Sequence, residues 1–418
     1  MRTSDVIVIG AGLAGLTAAA VAAGSGCSVT LLTKGAGTLA FGGGTIDVLG
    51  YRDAHAVKKP CEDIRQMPCD HPYTIAGMDV VGNALSYFQD LCAHKGYPLV
   101  GSVDTNRLVL TVAGTWKPSC LIPKTMDASG MEDASVITVA TFAGLKDFYP
   151  RLIINGLKRL EAYRDKQYRE ITIQTGSMQG RDWSILDVAR WVESEAGYHS
   201  LVKQMRSAGV VGGYLLIPPV LGTEPDYTLW RKLEEALDCR IVELAAPPPA
   251  ITGRRLRTLL LRYLKELGVR IIEQAHVRRG LWRGTQCQGV VTQHLDRERI
   301  YEAQHVILAT GSFLGGGLEA TSQGITETVF GFPVVPANVC GTESNGSLFD
   351  SHPIFQAGVA VNNLFRPCDE TGQPIADNVH LAGSILTGYD YAREKSGNGV
   401  AVVTGYQAAL CAISGVKK

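Results

Sequence analysis

Residues 6–15 read Val6-Ile7-Val8-Ile9-Gly10-Ala11-Gly12-Leu13-Ala14-Gly15, and this stretch decides the fold. Its β-branched opening is typical of a short strand that is buried on both faces. The glycines then follow the spacing G-x-G-x-x-G, and the alanine-rich residues up to 23 favour a helix. A second β-branched run at 28–33 completes a βαβ unit of about 30 residues. We therefore predict a dinucleotide-binding sheet that begins near the amino terminus.

Each part of this turn has a predicted role toward a nucleotide. Gly10 permits the tight turn, Gly12 lets a pyrophosphate approach the backbone, and Gly15 lets the helix pack closely on the strand. The helix amino terminus, with Leu13 and Ala14 in its first turn, faces the phosphates. These five residues are the first part of the predicted cofactor site.

The end of the second strand lacks a residue that this fold normally carries. An Asp or Glu about 20 residues beyond the glycines usually binds the ribose hydroxyls, whereas this chain has Thr33 followed by Lys34. A hydroxyl can still donate to a ribose, and a lysine favours phosphate. We therefore predict FMN, which has no adenosine half, with FAD as the alternative, and include both residues in the cofactor site.

A run of three glycines forms a second candidate contact. Gly42, Gly43 and Gly44 are followed by Thr45. Consecutive bare N–H groups can bind an anion, and missing side chains let a flat ring lie close. A flexible surface loop is the alternative interpretation of the same residues.

The carboxy-terminal part of the chain carries elements that return to the same sheet. Residues 276–302 alternate in short runs that predict a three-stranded antiparallel meander, and a buried strand then ends in Ala309-Thr310-Gly311. In flavoproteins with two dinucleotide domains, that order brings the chain back to the nucleotide sheet. Another strand leads into Gly383 and Ser384, which we also assign to the cofactor site.

The last predicted helix opens on Gly397, Asn398 and Gly399 and continues through 400–413. In this class of protein such a helix points its amino terminus at the pyrimidine edge of a flavin, where partial positive charge stabilises an anionic reduced ring. An ordinary packing helix is the alternative interpretation.

Between about residues 75 and 248 the pattern changes to alternating short strands and helices. The predicted elements are strands at 136–140, 214–217 and 240–244 and helices at 146–160, 184–205 and 227–237. Such alternation favours an α/β layer inserted into the first domain. The expected fold class is α/β: a Rossmann-like dinucleotide-binding domain with a three-stranded β-meander, formed by 1–75 and 249–418, and an inserted α/β cap domain at 76–248.

Composition excludes several classes of protein. The chain has 40 Lys plus Arg and 40 Asp plus Glu, a balance that disfavours binding to nucleic acid or to an anionic membrane. The uncharged residues 6–33 are interrupted by glycines, so we expect neither a membrane span nor an export signal, and a cytoplasmic location. No pair among the 10 cysteines has the two-residue gap of zinc or iron–sulfur sites. We therefore expect no metal, and electrons must pass directly to a substrate or to a partner.

Together these motifs resemble those of the B subunits of anaerobic glycerol-3-phosphate dehydrogenases, within the flavoprotein group that includes fumarate reductase. The resemblance covers essentially the whole chain. It rests on the opening G-x-G-L-A-G-L, 41–49, His71-Pro72-Tyr73, 144–148, 309–313 with 315–318, Arg366-Pro367 and the glycine-containing closing helix.

This resemblance implies oxidation of sn-glycerol 3-phosphate to dihydroxyacetone phosphate under anaerobic conditions, with FMN held by this chain. It also implies two partners, a larger flavoprotein subunit that bears FAD, and an iron–sulfur subunit that anchors the complex at the inner face of the membrane and feeds the quinone pool. Two other functions stay open: a stand-alone flavoprotein reductase or dehydrogenase of the fumarate reductase group, and a non-catalytic electron-relay or assembly subunit.

The chemistry of alcohol oxidation points to further candidate residues. It requires a hydride acceptor, a base for the hydroxyl proton and cations for the phosphate. His71 and His352 are candidate bases because histidine titrates near neutral pH. Arg366 and Arg393 are candidate phosphate ligands. Structural histidines and solvated arginines are the alternative interpretation.

Overall fold

The computed structural model of the protein describes residues 2–176, 182–294, 297–335, 346–347, 350 and 352–417. Within these ranges the strands are β1 (Arg2–Ile9), β2 (Val29–Leu32), β3 (Tyr51–Arg52), β4 (His55–Ala56), β5 (Leu99–Gly101), β6 (Arg107–Leu110), β7 (Trp116–Ser119), β8 (Leu121–Pro123), β9 (Val136–Phe142), β10 (Gln167–Ile173), β11 (Tyr214–Ile217), β12 (Arg240–Glu243), β13 (Arg270–Ile272), β14 (His276–Arg283), β15 (Gln286–His294), β16 (Arg297–Leu308), β17 (Leu318–Thr321), β18 (Gly324–Glu327), β19 (Val334–Val335), β20 (Gly358–Val359) and β21 (Val379–Leu381). The helices are α1 (Leu13–Gly24), α2 (Pro60–Ile64), α3 (Pro72–Ala76), α4 (Met78–His94), α5 (Pro150–Lys158), α6 (Glu161–Arg164), α7 (Ile185–Glu193), α8 (Glu195–Ser207), α9 (Thr228–Leu237), α10 (Ile251–Glu266), α11 (Tyr391–Glu394) and α12 (Gly397–Gly415).

The first sheet joins the two ends of the chain. Its strands are ordered β13-β2-β1-β16-β15-β14, and β21 also pairs with β16. β1 is parallel to β2 on one side and to β16 on the other, where Val6 lies opposite His305. β14, β15 and the first half of β16 are antiparallel neighbours, and the second half of β16 is parallel to β21. The apolar run at 6–9 is therefore central in the sheet, and its side chains are buried.

The second sheet is formed entirely by residues between 136 and 243. Its strands are parallel and ordered β10-β9-β11-β12. The side chains of β11 pack alternately into two hydrophobic cores, one on each face of the sheet. Leu215 and Ile217 pack with α7, α8 and α9, whereas Tyr214 and Leu216 pack with α5. Parallel sheets covered on both faces are built from such continuous apolar strands. The two sheets confirm the α/β class.

The elements predicted in this region are present, but several of their ends differ. The helix expected at 146–160 begins only at Pro150, which lies in the first helical turn. The helix expected at 184–205 is two helices, because Ser194 takes an extended conformation and its side chain caps α8. The sequence pattern does not predict β10, because this edge strand is largely exposed and lacks a continuous apolar run.

A buried ion pair connects α10 to the end of the second sheet. Arg255 on α10 and Glu243 on β12 are 1% and 0% exposed. Two hydrogen bonds join them, Nη1 to Oε2 at 2.6 Å and Nη2 to Oε1 at 2.9 Å. Arg255 Nε also donates to the carbonyl of Gly222, and the backbone N–H of Leu221 donates to Glu243 Oε1. Both charges are thus well satisfied by polar partners although they lie far from water.

Across the described ranges, no helix is both long and apolar enough to cross a lipid bilayer. The same residues contain no group of three His, Cys, Asp or Glu side chains placed to hold a metal ion. Nine cysteines are described and all are free thiols, while Cys340 lies outside the described residues.

Candidate functional site

The turn between β1 and α1 is held by close backbone contacts. Gly10 has a φ of +109°, and a side chain there would overlap the carbonyl of Ala309. A side chain at Gly15 would overlap the carbonyl of Gly10. Because Gly10 has no side chain, the turn packs against the end of β16. Because Gly15 has none, α1 packs against the turn, as predicted from the spacing of the glycines.

The middle glycine of the motif faces open space. No described atom lies within 4 Å of the position that a Cβ at Gly12 would take. Gly12 is the N-cap of α1, and having no side chain it leaves the first N–H groups of the helix uncapped. Leu13 and Ala14 follow it in an apolar first turn. An anionic group can therefore approach the amino terminus of α1 at this point.

The strand ends near this turn supply further small and polar residues. The N–H of Ala309 donates to the carbonyl of Ile9 at 2.8 Å, and the N–H of Ser312 donates to Ser384 Oγ at 3.2 Å. The hydroxyl of Thr310 is buried and has no hydrogen-bond partner among the described residues. Thr310 follows Ala309, whose carbonyl lies against Gly10, so a buried hydroxyl without a described partner stands at the strand end beside the glycine turn, which fits a nucleotide bound at that turn.

Two other predicted residues lie beside the same turn. Gly383 has a φ of +82° and its N–H donates to the hydroxyl of Thr404 on α12 at 2.8 Å. A Cβ at Gly383 would lie 2.8 Å from that of Ala14, and Gly311 approaches Ser384. The structure thus brings the residues predicted around Gly12, Thr310 and Gly383 together at one edge of the first sheet.

Thr33, at the end of β2, is engaged within its own turn. Its hydroxyl donates to the carbonyl of Gly35 at 2.5 Å and accepts from the N–H of Gly35 at 3.2 Å. Lys34 is exposed beside it. The Thr33 side chain therefore stabilises the turn after β2, and its identity says little about what occupies the ribose position.

The three consecutive glycines pack against the start of α10. The hydroxyl of Thr252 donates to the carbonyl of Gly43 at 2.7 Å. Gly44 has a φ of +73°, and a Cβ there would lie 2.7 Å from the backbone of Thr252. A side chain at Gly253 would overlap the carbonyl of Gly42. The glycine run is thus packed closely on α10, and of its three glycines only Gly43 has no described atom, apart from those of its chain neighbours, within 4 Å of its Cβ position.

A largely buried polar network links this loop to the amino terminus of α12. It consists of Thr45, Asp47, Lys117, Ser119 and Asn398, and we call it the Asp47 network. Asp47 Oδ1 accepts from Ser119 Oγ at 2.5 Å and from Thr45 Oγ1 at 2.9 Å, and Lys117 Nζ lies 2.5 Å from Asp47 Oδ2. Asn398 Nδ2 donates to the carbonyl of Thr45 at 2.8 Å. The network fixes the glycine loop to the start of the last helix.

Gly397 and Gly399 occupy the same first turn of α12. Gly399 packs so closely on Tyr73 that a side chain there would overlap the phenol oxygen. Its N–H donates to the carbonyl of Asp47 at 3.0 Å. The predicted residues of the last helix and of the glycine loop are thus directly bonded to each other.

His71 is buried, and both of its ring nitrogens have protein partners. Nδ1 accepts from the N–H of Tyr73 at 3.1 Å, so Nε2 carries the proton and donates to Glu394 Oε2 at 3.3 Å. The hydroxyl of Ser396 donates to the same carboxylate oxygen at 2.7 Å. His71 therefore holds the segment that leads into α12.

The second predicted histidine is connected to the same segment through an intervening aromatic ring. His352 is 8% exposed, and its ring contacts that of Phe355 at 5.9 Å. Phe355 in turn contacts Tyr391 at 5.8 Å. His71 thus contacts residues 389–394 directly, through Tyr389 and Glu394, whereas the ring contacts of His352 lead to this segment through Phe355.

The two predicted phosphate ligands lie at different places. Arg393 is exposed on α11, next to the start of α12. Arg366 instead lies near His305, His380 and Cys411. Burial lowers the pKa of both histidines and raises the pKa of the Cys411 thiol, and the positive charge of Arg366 lowers each pKa by a smaller amount. Cys411 is 14 residues along α12 from its start, which corresponds to about 21 Å. The two arginines therefore do not form one phosphate site.

Acidification is expected to destabilise the protein through the buried pair of His305 and His380. Burial lowers the pKa of His380 to about 4, with smaller effects of His305 and Arg366, and burial also lowers the pKa of His305. Because an unfolded chain binds these protons near pH 6.5, it binds more protons than the folded protein between pH 6.5 and 4, and stability falls as pH falls. We expect urea unfolding to show a loss of about 2–3 kcal/mol over this range.

The variant His380→Gln, which cannot gain this proton, provides the control. Its loss of stability between pH 6.5 and 4 should be clearly smaller than that of the unmodified protein. Equal losses in the two proteins would contradict the assignment to His380.

Sequence reasoning missed several side chains that the structure places at this site. Asp390 is 5% exposed; its Oδ1 accepts from two backbone N–H groups, and its Oδ2 has no hydrogen-bond partner in the described part of the chain. Glu394, Asp47 and Lys117 were also missed. A lysine that lies 72 residues from its hydroxyl partner gives no local signal.

Comparison with protein families bears on which flavin the chain binds. A family model described as FAD binding domain matches residues 5–400 of the chain. This match favours FAD, and the predicted first choice of FMN is not supported. The Thr33 hydroxyl is engaged with Gly35, so its identity does not distinguish FMN from FAD.

Curated relatives match over nearly the full length. The B subunit of the anaerobic glycerol-3-phosphate dehydrogenase of Vibrio cholerae is 28% identical over 421 residues, which cover 98% of this chain and 96% of the relative. A protein of Halobacterium salinarum, described as the probable B subunit of the same enzyme, is 29% identical over 428 residues, covering 99% of this chain and 98% of the relative. The resemblance deduced from the motifs is thereby confirmed.

Solved structures show more distant similarity. An open form of a flavocytochrome c3 fumarate reductase is 11% identical with a TM-score of 0.47, covering 100% of this chain and 79% of that one. The 3-ketosteroid delta1-dehydrogenase of Sterolibacterium denitrificans is 12% identical with a TM-score of 0.47, covering 99% and 100%. These scores are below 0.5 and carry no argument about function.

Proposed function

Since the chain belongs to the FAD binding domain family, we propose that it is the flavin-bearing B subunit of an anaerobic glycerol-3-phosphate dehydrogenase. In this proposal it takes part in the oxidation of sn-glycerol 3-phosphate to dihydroxyacetone phosphate. The structural observation that carries the proposal is the open position at Gly12, next to an uncapped helix terminus. The full-length similarity to named B subunits supports the choice of enzyme.

The residues that would hold FAD lie around this opening. Gly12 and the first turn of α1 would receive the pyrophosphate, and the hydroxyl of Thr310 would gain a partner. Gly43 and the first turn of α12 would lie along the flavin ring. When bound, the flavin supplies the acceptor for the hydride that leaves the alcohol carbon.

The segment before α12 would serve the substrate. The exposed guanidinium of Arg393 suits the phosphate group, because arginine offers a planar set of donors to phosphate oxygens. His352 remains the predicted base for the hydroxyl proton, and the buried Oδ2 of Asp390 is a second candidate. His71, with both nitrogens engaged, would position Glu394 and the segment that it anchors.

Electrons would leave through partner proteins. The chain has no cysteine pair with the two-residue gap of an iron–sulfur motif, so a relay must lie on other proteins. We assign this relay to a larger flavoprotein subunit that bears FAD and to an iron–sulfur subunit, which would pass electrons to the quinone pool. The iron–sulfur subunit would hold the complex at the inner face of the membrane, and this chain would stay cytoplasmic.

The division into domains follows the two sheets. Residues 1–75 and 249–418 would form the flavin-binding domain, and residues 76–248 the inserted cap domain that covers the substrate. This arrangement is supported by the position of the second sheet between β2 and β13 in the chain.

Anaerobic reduction of the bound flavin tests this function directly. The purified chain, reconstituted with FAD, is mixed with sn-glycerol 3-phosphate in the absence of oxygen, and loss of the visible flavin band is followed. Reduction by this substrate alone supports a dehydrogenase subunit that reacts itself. Reduction that requires the larger flavoprotein partner indicates an electron-relay role, and reoxidation by fumarate alone indicates a stand-alone reductase of the fumarate reductase group.

In Arg393→Gln, the substrate concentration that gives half-maximal reduction of the flavin is expected to be about tenfold higher. The reason is that a charged hydrogen bond to the phosphate is lost. Flavin content should not change. The matched variant Arg366→Gln, which lies between β20 and β21 and near Cys411, should leave this concentration unchanged. Equal effects of the two variants would contradict the assignment of Arg393.

A further inference from the structure

A lysine that is not part of the predicted cofactor site lies close to the amino terminus of α12. Lys117 lies on β7, between the first βαβ unit and the second sheet. Its Nζ is 2.5 Å from Asp47 Oδ2 and 3.1 Å from Thr45 Oγ1, and its side chain is 27% exposed. The ammonium group is thus held beside the segment that follows the three glycines.

Asp47 does not depend on Lys117 alone for its hydrogen bonds. Ser119 Oγ and Thr45 Oγ1 both donate to its Oδ1, and its side chain is 12% exposed. The carboxylate is therefore anchored by neutral donors as well as by the lysine. The net charge of this pair is set by Lys117 and Asp47 together, and either residue can be substituted while the other is kept.

The same short segment is bonded to the first turn of α12. The carbonyl of Asp47 accepts from the N–H of Gly399 at 3.0 Å, and the carbonyl of Thr45 accepts from Asn398 Nδ2 at 2.8 Å. A helix amino terminus carries about half a positive elementary charge. Two sources of positive potential, the helix terminus and Lys117, therefore meet at residues 45–47, which follow the glycine run.

We propose that Lys117 sets the reduction potential of the flavin, by stabilising the negative charge that the ring gains on reduction. This inference rests on the proposed function, because it requires a flavin whose pyrimidine edge lies at the start of α12. Charge near this edge is one of the means by which proteins tune flavins. Asp47 opposes the effect, and the pair together determines its size.

Sulfite provides a probe that does not require turnover. Sulfite adds to flavin N5 through its own electron pair, forms an N–S bond and places negative charge on the pyrimidine edge. Positive potential at that edge therefore tightens the adduct, whose dissociation constant is read from the visible spectrum. In FAD-reconstituted protein, Lys117→Gln should weaken sulfite binding about tenfold, which for a two-electron couple corresponds to about 30 mV of lower reduction potential.

Variants that remove a positive or a negative charge distinguish an electrostatic effect on the flavin from structural damage. Lys117→Arg keeps the charge and should stay within about twofold of the unmodified protein, while Asp47→Asn removes the opposing charge and should tighten sulfite binding. Damage to the Asp47 network would instead weaken binding in both Lys117→Gln and Asp47→Asn. The matched control Lys95→Gln also breaks a lysine–carboxylate pair, but its partner Glu266 lies at the far end of α10 from Thr252, and sulfite affinity should not change.

The outcomes distinguish this inference from the function on which it rests. Unmodified protein that binds no flavin after reconstitution overturns both. Flavin-loaded protein in which Lys117→Gln leaves sulfite affinity and potential unchanged overturns the role of Lys117 only. If Lys117→Gln does not retain flavin, Asp47→Asn decides: tighter sulfite binding supports the proposal, and weaker or unchanged binding rejects it.

Discussion

Replacement of Arg255 by Met should lower the free energy of unfolding by about 3–5 kcal/mol. The substitution removes the guanidinium and leaves Glu243 as an unpaired carboxylate that is 0% exposed. It also removes the hydrogen bond to the carbonyl of Gly222. Chemical unfolding followed by circular dichroism measures this loss, and a second replacement, Glu243→Leu in the same chain, should recover much of it because no buried charge then remains.

Another arginine of α10 offers a matched control. Arg262 pairs with Glu224 at 2.6 Å, but both side chains are 53% exposed. Because exposed pairs contribute about 0–1 kcal/mol, Arg262→Met should change the stability little. If Arg255→Met were no more destabilising than Arg262→Met, the buried pair would not be a major link between α10 and the second sheet.

An aspartate at Gly12 should abolish flavin binding while the fold is kept. The new carboxylate would enter the space in which no described atom lies within 4 Å, and it would accept from the first N–H groups of α1. It would thereby occupy the donors and repel the phosphates. We expect the dissociation constant for FAD to rise at least about 100-fold, which equals about 2.8 kcal/mol.

Flavin titration and thermal unfolding of the flavin-free protein together check this result. Because aspartate is a favourable N-cap, the unfolding temperature of flavin-free Gly12→Asp should not fall. Gly82→Asp, on α4 at another glycine with no described atom within 4 Å, should bind FAD normally. Normal FAD affinity in Gly12→Asp would show that the phosphates bind elsewhere.

The parts of the fold that are predictable from sequence are those with local causes. The strand, turn and helix at 6–23 are encoded by neighbouring residues, and β1, Gly10 and α1 appear where the pattern places them. The division of the predicted helix at 184–205 depends on Ser194 acting as a cap within the run. A serine inside a helical pattern does not reveal this role, because the same residue is also tolerated in a helix.

In the candidate site, only the parts formed by closely packed backbone could be predicted from the sequence. Glycines and small residues at 10–15, 309–311 and 383–384 have spacings that reflect close approach, and the structure brings them together. The Asp47 network and the bond of His71 to Glu394 join residues far apart in the chain, and no spacing rule connects them. The choice of FMN, which the family match does not support, rested on Thr33, and the partner of the Thr33 hydroxyl is visible only in the folded chain.

The pairing of β1 with β16 has a consequence for the order of assembly during synthesis. Val6 cannot pair with His305 until most of the chain has left the ribosome, whereas the second sheet is complete once residue 243 has emerged. Contacts between residues close in sequence form fastest. The second sheet should therefore fold first as a unit, and the nascent amino-terminal βαβ unit should remain without its β16 neighbour until the last third of the chain arrives.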